Sequence, residues 1–348
     1  MLVGVGIDPG LGLSREQQRT LVQESARLGY DSLWTPARLT RPIFQTCRDW
    51  WVATTDVIAD GLRVGTSVIP FPGWTVLTLA AESASLNEVT AGKFNLGIGL
   101  GSYPSPAMIR QLGLPTVPPV AYSRDYLLTL RELLAGKTVD YDGKGVSLHG
   151  VQLGFKAPRV PVYLAAMGPQ MLRLSGRYAD GVTPNWCSPE QIAWMRQHVA
   201  EGARKVGRDP SEIPFALYIR VCVDDDEDAA RRAFAAPVLD YAMARPGMPK
   251  DIGYRAHFGR MGFEEVLTEL EARRNAGTPV SELVDLVPAE LLLKVGYFGK
   301  ADGAPAAMRR LSEGLDEAMV RLISVRSGDL EANIAAIRAC QPSAWAHQ

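Results

Sequence analysis

The stretch 161–181, PVYLAAMGPQMLRLSGRYADG, restricts the fold more than any other part of the chain. Its apolar opening, Pro-Val-Tyr-Leu-Ala-Ala, is short and bounded, as a buried strand is. Gly168-Pro169 follows, and Met171, Leu172, Leu174 and Tyr178 then recur at helical spacing. Pro169 suits the first helical turn, where its missing N–H costs nothing. The helix yields to Ala-Asp-Gly and a new apolar start at Val182-Thr183. Strand, tight turn, helix and strand make a βαβ unit whose helix N-terminus overlooks the C-terminal edge of the first strand. Free N–H groups there form a natural phosphate seat. The same residues would also serve an ordinary βα turn with no ligand.

That alternation runs through the whole chain. Strands are expected at 2–7, 30–34, 62–69, 93–98, 215–223 and 319–325, besides the two in the opening stretch. Helices are expected at 14–28, 49–59, 76–86, 122–134, 189–206, 224–241, 263–275, 281–295, 304–313 and 330–339. The acidic run Asp224-Asp225-Asp226-Glu227-Asp228 suits a helix N-terminus. Residues 139–153 alternate around Asp142-Gly143, a peripheral hairpin. Eight strands alternating with helices predict a (β/α)8 TIM barrel, α/β in class. An open doubly wound sheet is the alternative, but nothing in the sequence marks a reversal of strand order. The pattern weakens at 242–259, with Pro246, Gly247, Pro249 and Gly253. We therefore expect one domain over 1–348 with an insertion around 242–300 that covers a site or makes a subunit contact.

Composition narrows the function. The 37 basic and 38 acidic residues are scattered and sum to −1, so no nucleic-acid partner is expected. No run approaches the apolar length of a membrane span, and the N-terminus lacks a signal-peptide pattern. A cytoplasmic location with reduced thiols at Cys47, Cys187, Cys222 and Cys340 is expected. His149, His198, His257 and His347 are isolated, the cysteines lack metal spacing, and no G-x-S-x-G elbow occurs. With no metal set or nucleophile in view, a barrel enzyme would borrow its chemistry from an organic cofactor.

In such a barrel the working residues lie where strands end. After the second strand come Ala37, Arg38 and Arg41, and Arg38 could bind an anion. The third ends Gly65-Thr66-Ser67-Val68-Ile69-Pro70, a β-branched strand end. Gly97-Ile98-Gly99-Leu100-Gly101-Ser102 after the fourth lets backbone approach a planar ligand, without being a dinucleotide fingerprint. Asn185 and Trp186 could put an amide and an indole at the mouth, and Trp74 and Tyr103 are further aromatic candidates. A Trp near a helix or strand end is more often core packing than a ligand platform.

PVYLAAMGPQM with the helix and Ala-Asp-Gly after it resembles the phosphate-binding segment of the bacterial luciferase-like superfamily, closest to its coenzyme F420-dependent branch. GYDSLW, LNEVTAGKFNLGIGLG and SRDYLLTLRELLAGKTVDYDGKGVSLHG are also similar to family patterns, so the resemblance covers nearly the whole chain. It implies an oxidoreductase in which C5 of the deazaflavin gives or takes a hydride. The phosphate would sit on Ala166, Met167, Gly168, Pro169 and Gln170. The ring would lie over Ser67 and Val68, joined by a non-prolyl cis peptide, with Gly99, Gly101, Ala165 and Met171 bordering it. The chain departs from the branch's sugar-phosphate dehydrogenases, which carry Asp-His at Ala37-Arg38, a carboxylate at Ser102 and a lysine near Ser188. A sugar phosphate is therefore not expected. Arg38, Ser102 and Tyr103 are the polar replacements: Tyr could donate a proton and Arg could fix a carboxylate. Trp74, Asn185 and Trp186 would line the substrate pocket. The leading expectation is an F420-dependent reductase or dehydrogenase acting on a small carbonyl, imine or activated alkene. An FMN-dependent monooxygenase served by a separate flavin reductase is the first alternative, and a non-catalytic flavin- or metabolite-binding member the second. Family members often dimerise, so a homodimer is expected as well.

Overall fold

In the computed structural model, all residues are described except 39–40, 245–248 and 347–348. Pro246, Gly247 and His347, noted in the sequence, lie outside the described residues.

The strands in chain order are β1 (Leu2–Gly6), β2 (Ser32–Thr35), β3 (Arg63–Thr66), β4 (Ile69–Pro70), β5 (Phe94–Gly99), β6 (Val139–Asp142), β7 (Ser147–Val151), β8 (Val162–Leu164), β9 (Gly181–Val182), β10 (Ala216–Val223), β11 (Gly296–Gly299) and β12 (Glu317–Leu322). The helices are α1 (Arg15–Arg27), α2 (Ile43–Thr55), α3 (Val76–Val89), α4 (Pro106–Leu112), α5 (Pro119–Leu134), α6 (Pro169–Tyr178), α7 (Pro189–Arg204), α8 (Glu227–Ala242), α9 (Gly253–Phe258), α10 (Glu264–Asn275), α11 (Val280–Leu286), α12 (Ala289–Val295), α13 (Ala304–Leu311) and α14 (Leu330–Ala339). One sheet runs β11-β10-β12-β1-β2-β3-β5-β8-β9, parallel throughout, and β4 also pairs with β5. Two isolated parallel bridges, Val182–Phe215 and Asn185–Tyr218, bring the β9 end of that path back to β10. The sheet is therefore strongly curled. The β6–β7 hairpin stands apart, where the Asp142-Gly143 turn predicts it.

Local signals account for most element ends. Ser14 and Gln17 form a capping box on α1, and Thr75 caps α3. The acidic run delivers Asp226 as the cap of α8, with Glu227 and Asp228 in its first turn. Two expectations need correction. The helix predicted at 281–295 is two, α11 and α12, because Val287 before Pro288 is held extended at ψ 122°. Its last turn then gives way to β11, an added strand that the apolar run concealed. The helix predicted from 49 begins earlier, at Ile43, directly after Pro42.

Alternation in the parallel strands divides side chains between two environments. Val3, Val5, Leu33, Val64, Leu217, Ile219, Val221, Ala318 and Val320 belong to the main core between sheet and helices. The alternate positions form a small inner cluster, Trp34, Tyr163, Ala216, Tyr218 and Met319. Its large rings fit because glycines face them. A Cβ on Gly65 would lie 2.6 Å from the Trp34 ring, one on Gly6 2.6 Å from Tyr218, and one on Gly181 2.3 Å from Tyr163. Below these rings Glu317, only 3% exposed, accepts hydrogen bonds from Ser32 Oγ and Trp34 Nε1. Burial pushes its carboxyl above the usual range. A second outer core gathers Trp186, α8 and the segment from Phe258 to Val295.

The facing of Gly65 and Trp34 yields a stability prediction. Gly65→Val should cost about 1–3 kcal/mol, since a fully buried ring must move in a filled interior. Urea unfolding of the variant against the parent measures this, and an unchanged midpoint would refute the packing account.

Candidate active site at the strand ends

Where β3 ends, Ser67 N–H donates to Thr35 O at 3.0 Å, and its hydroxyl lies 2.9 Å from Thr183 Oγ1 beyond β9. The Ser67–Val68 peptide is cis, at the position the family resemblance indicates. Gly99, closing β5, has no room for a side chain: a Cβ would be 2.9 Å from both Ala165 Cβ and Val68 Cγ2. Val68, Gly99 and Ala165 thus meet at one level although far apart in sequence. Gly101, at φ +60°, turns the next loop over Pro70.

After β8 the chain passes Ala165, half-buried, and Ala166, buried, and reaches α6. Gly168 is the N-cap of that helix and Pro169 its first residue, and no side chain caps its N–H groups. A Cβ on Gly168 would meet nothing within 4 Å. Met167, Gly168, Pro169 and Met171 are half-buried and Gln170 exposed, so this helix end faces open space. Arg260, exposed, brings Nη2 to 3.5 Å from Met167 O.

The polar and aromatic candidates separate. The Arg38 side chain is largely exposed, with Nη2 3.9 Å from Asp8 Oδ1. Ser102 is exposed on its loop. Tyr103 is buried; its hydroxyl donates to Val117 O at 2.7 Å and accepts Val117 N–H at 2.8 Å, pinning the loop ahead of α5. Trp74 packs edge-on against Phe44, 5.6 Å between centroids. Asn185 and Trp186 stay together: Asn185 Nδ2 donates to Tyr254 Oη at 2.7 Å, whereas Trp186 is wholly buried, at φ +55°.

Four inward-facing polar residues escaped the reading of the loops. Asp8, just past β1, forms an ion pair with Arg321 of β12. Arg220 of β10 is in register with Arg321 and donates from Nη1 to Asn185 Oδ1 at 2.7 Å. The Tyr218 hydroxyl, one inward step below Arg220, is buried without a hydrogen-bond partner. A signal for the arginines was present: each interrupts an apolar strand, LYIRVCV and AMVRLI, and a charge there must face polar company inside. Burial raises the Asp8 carboxyl, but Arg321, the Gly10 N–H and Arg38 outweigh it and hold the group below its ordinary range. Burial, reinforced by Arg321, lowers Arg220 to about 9. Among the described residues no three of His, Cys, Asp and Glu gather as a metal-holding group, and no helix is long and apolar enough to cross a membrane.

Comparison with known proteins supplies a context for this geometry. The family model for luciferase-like monooxygenases matches residues 2–313. The 5,10-methylenetetrahydromethanopterin reductase of Methanolobus tindarius is 30% identical over 283 residues, covering 74% of this chain and 83% of the relative. The solved structure of the coenzyme F420-dependent tetrahydromethanopterin reductase from Methanopyrus kandleri aligns with a TM-score of 0.77 at 21% identity, over 98% of each chain. An F420-dependent secondary alcohol dehydrogenase in complex with an F420–acetone adduct aligns at 0.70 with 18% identity, over 99% of this chain and 98% of that one.

The Asp8–Arg321 pair can be tested by pH. Because the folded carboxyl titrates below its ordinary value of 3.8, its stabilisation is complete above that value and is lost as pH falls through the folded one. Asp8→Asn should therefore cost about 2 kcal/mol at neutral pH, with the gap from the parent narrower at an acid pH below 3.8. Urea unfolding at both pH values checks this; a gap that persists in acid would show that the loss does not come from the charge.

Proposed function

The chain belongs to the luciferase-like monooxygenase family, and on that footing we propose that it is a coenzyme F420-dependent oxidoreductase working at the mouth of the curled sheet. The reaction is hydride transfer between the deazaflavin C5 and a small carbonyl, imine or activated alkene. One observation carries this reading: Val68, Gly99 and Ala165 meet at one level, beside the uncapped N-terminus of α6. A planar ring needs a surface without protruding side chains, and Gly99 supplies one where even a methyl has no room. A phosphate needs free N–H groups and space, which α6 offers at Gly168.

In this reading Ser67, Val68, Gly99, Gly101 and Ala165 border the ring, and residues 166–171 seat the phosphate. The ring supplies the hydride chemistry; the protein orients it, excludes water and handles the proton. Arg38 and Asp8 form the accessible polar pair beside the substrate, and Asn185 contributes an amide. Ser102 is retained at the rim. We assign Tyr103 to loop anchoring and the Trp74 and Trp186 rings to walls behind the pocket, in keeping with their partners and burial. The relatives' names fit hydride exchange at an electrophilic carbon in either direction: one is a methylenetetrahydromethanopterin reductase, and one structure is a secondary alcohol dehydrogenase with an F420–acetone adduct. We further read the sheet as a closed (β/α)8 barrel, which the Val182–Phe215 and Asn185–Tyr218 bridges support, with 242–300 as an insertion carried on α8.

FMN presents a similar phosphate, so the seat alone does not separate the two cofactors. Titrating the protein with F420 and, separately, with FMN while following tryptophan fluorescence does. We expect F420 to bind, and Gly168→Leu to weaken it about tenfold or more, ~1.4 kcal/mol, while leaving thermal unfolding unchanged. The fold should tolerate that side chain because Gly168 is extended and faces open space. Binding of FMN alone would move the assignment to a monooxygenase. Binding of neither would remove the cofactor reading.

A further inference from the structure

Arg220 is an anomaly of the strand that carries it. Leu217, Ile219 and Val221 of β10 face the outer core, so Ala216, Tyr218 and Arg220 form the inward column. Arg220 stands toward the C-terminal end of that column and is only 3% exposed. A buried guanidinium is normally matched by a carboxylate, because desolvating an unpaired charge is costly. Here the polar partner is the neutral amide oxygen of Asn185. Beneath it lies the Trp186 ring, 3.6 Å from the guanidinium carbon to the centroid, with Tyr241 at 5.9 Å. Among the described residues no carboxylate forms an ion pair with it, and at the register-paired position stands Arg321, a like charge.

Two further observations point to a missing anion. Nη1 is committed to Asn185, which leaves the Nε–Nη2 edge, the planar fork that takes a carboxylate through two parallel bonds. Neither of those nitrogens is among the buried atoms sealed off without a partner. Trp186 also holds φ +55°, an uncommon conformation for a bulky residue, with its ring under the guanidinium. Arg321, the register partner of Arg220, is paired with Asp8, which Arg38 also approaches.

We propose that Arg220, set by Asn185 and Trp186, is the anchor for a carboxylate on the substrate. The proposal rests on the reading of this mouth as the substrate side of the F420 site, and it narrows the substrate to a carbonyl, imine or alkene compound bearing a carboxylate group. The anchor binds and orients; it takes no part in bond making.

Trp186 makes the anchor observable. The full chain, with and without F420, is titrated with acetate, succinate and benzoate, with acetamide and benzamide as neutral counterparts, and with inorganic phosphate, following tryptophan fluorescence. We expect a saturable change with at least one carboxylate and none with the amides. Arg220→Gln should weaken that response at least tenfold while F420 affinity stays within twofold of the parent. Should Arg220→Gln fail to fold, Asn185→Asp decides: it places a carboxylate against Arg220 within the protein, so the external response should vanish and the melting temperature hold or rise. A carboxylate response that survives either folded variant, a response to phosphate alone, or no saturable response in the parent would each overturn the proposal. Failure of F420 to bind beside an intact, Arg220-dependent carboxylate response would instead defeat the cofactor reading and leave the anion site standing.

Discussion

The inside of the curled sheet has to be filled, and the way it is filled sets the height of everything above it. Few side chains fit within so small a radius. Trp34, Tyr163 and Tyr218 take that space, and each is admitted by a glycine on another strand whose Cβ would overlap the ring. This layer is the floor of the mouth. Four of the next inward residues along the strands are polar, Asp8, Thr183, Arg220 and Arg321.

Charge is handled differently at the two ends of the interior. Under the aromatic floor, Glu317 is enclosed with Ser32 and Trp34, and burial favours its neutral form. Above the floor, Asp8 stays ionised because arginines from two other segments reach it. Arg220 has only an amide and aromatic faces. The bottom thus favours a neutral group, and the top holds ionised ones.

The proposed phosphate seat depends on a packing contact remote from it. Helix α6 lies against α7 so closely that a Cβ on Gly176 would meet Val199 O at 2.1 Å, and one on Gly202 would meet Arg173 O at 2.1 Å. Backbone against backbone leaves α6 little freedom to slide. Its N-terminus at Gly168 is therefore held over the end of β8, beside Gly99 and Ala165. Arg208, donating to the carbonyls of Gly176 and Ala179, secures the other end of α6.

The alternation of strand and helix, the hairpin at 139–151, the acidic cap of α8 and the turn at Gly168 were all legible in the residues, because each is governed by neighbours within a few positions. The split at Pro288 is local too, but an unbroken apolar run on both sides hid it, and with it β11. Family resemblance indicated the cis peptide at Ser67–Val68 for the same reason, since it lies in a contiguous stretch. The company each side chain keeps could not be read that way. Tyr103 looks in sequence like a mouth residue, yet its hydroxyl is bound to Val117 backbone. Arg220 looks like a fault in a strand, yet register sets it beside Arg321 and above Tyr218. Sequence by itself determined the elements, their order and the glycines that allow close approach, all matters of short-range backbone preference. Only the tertiary structure decided which polar groups meet at the mouth, because curling the sheet brings together residues hundreds of positions apart, and inward or outward facing follows from registers that no single strand contains.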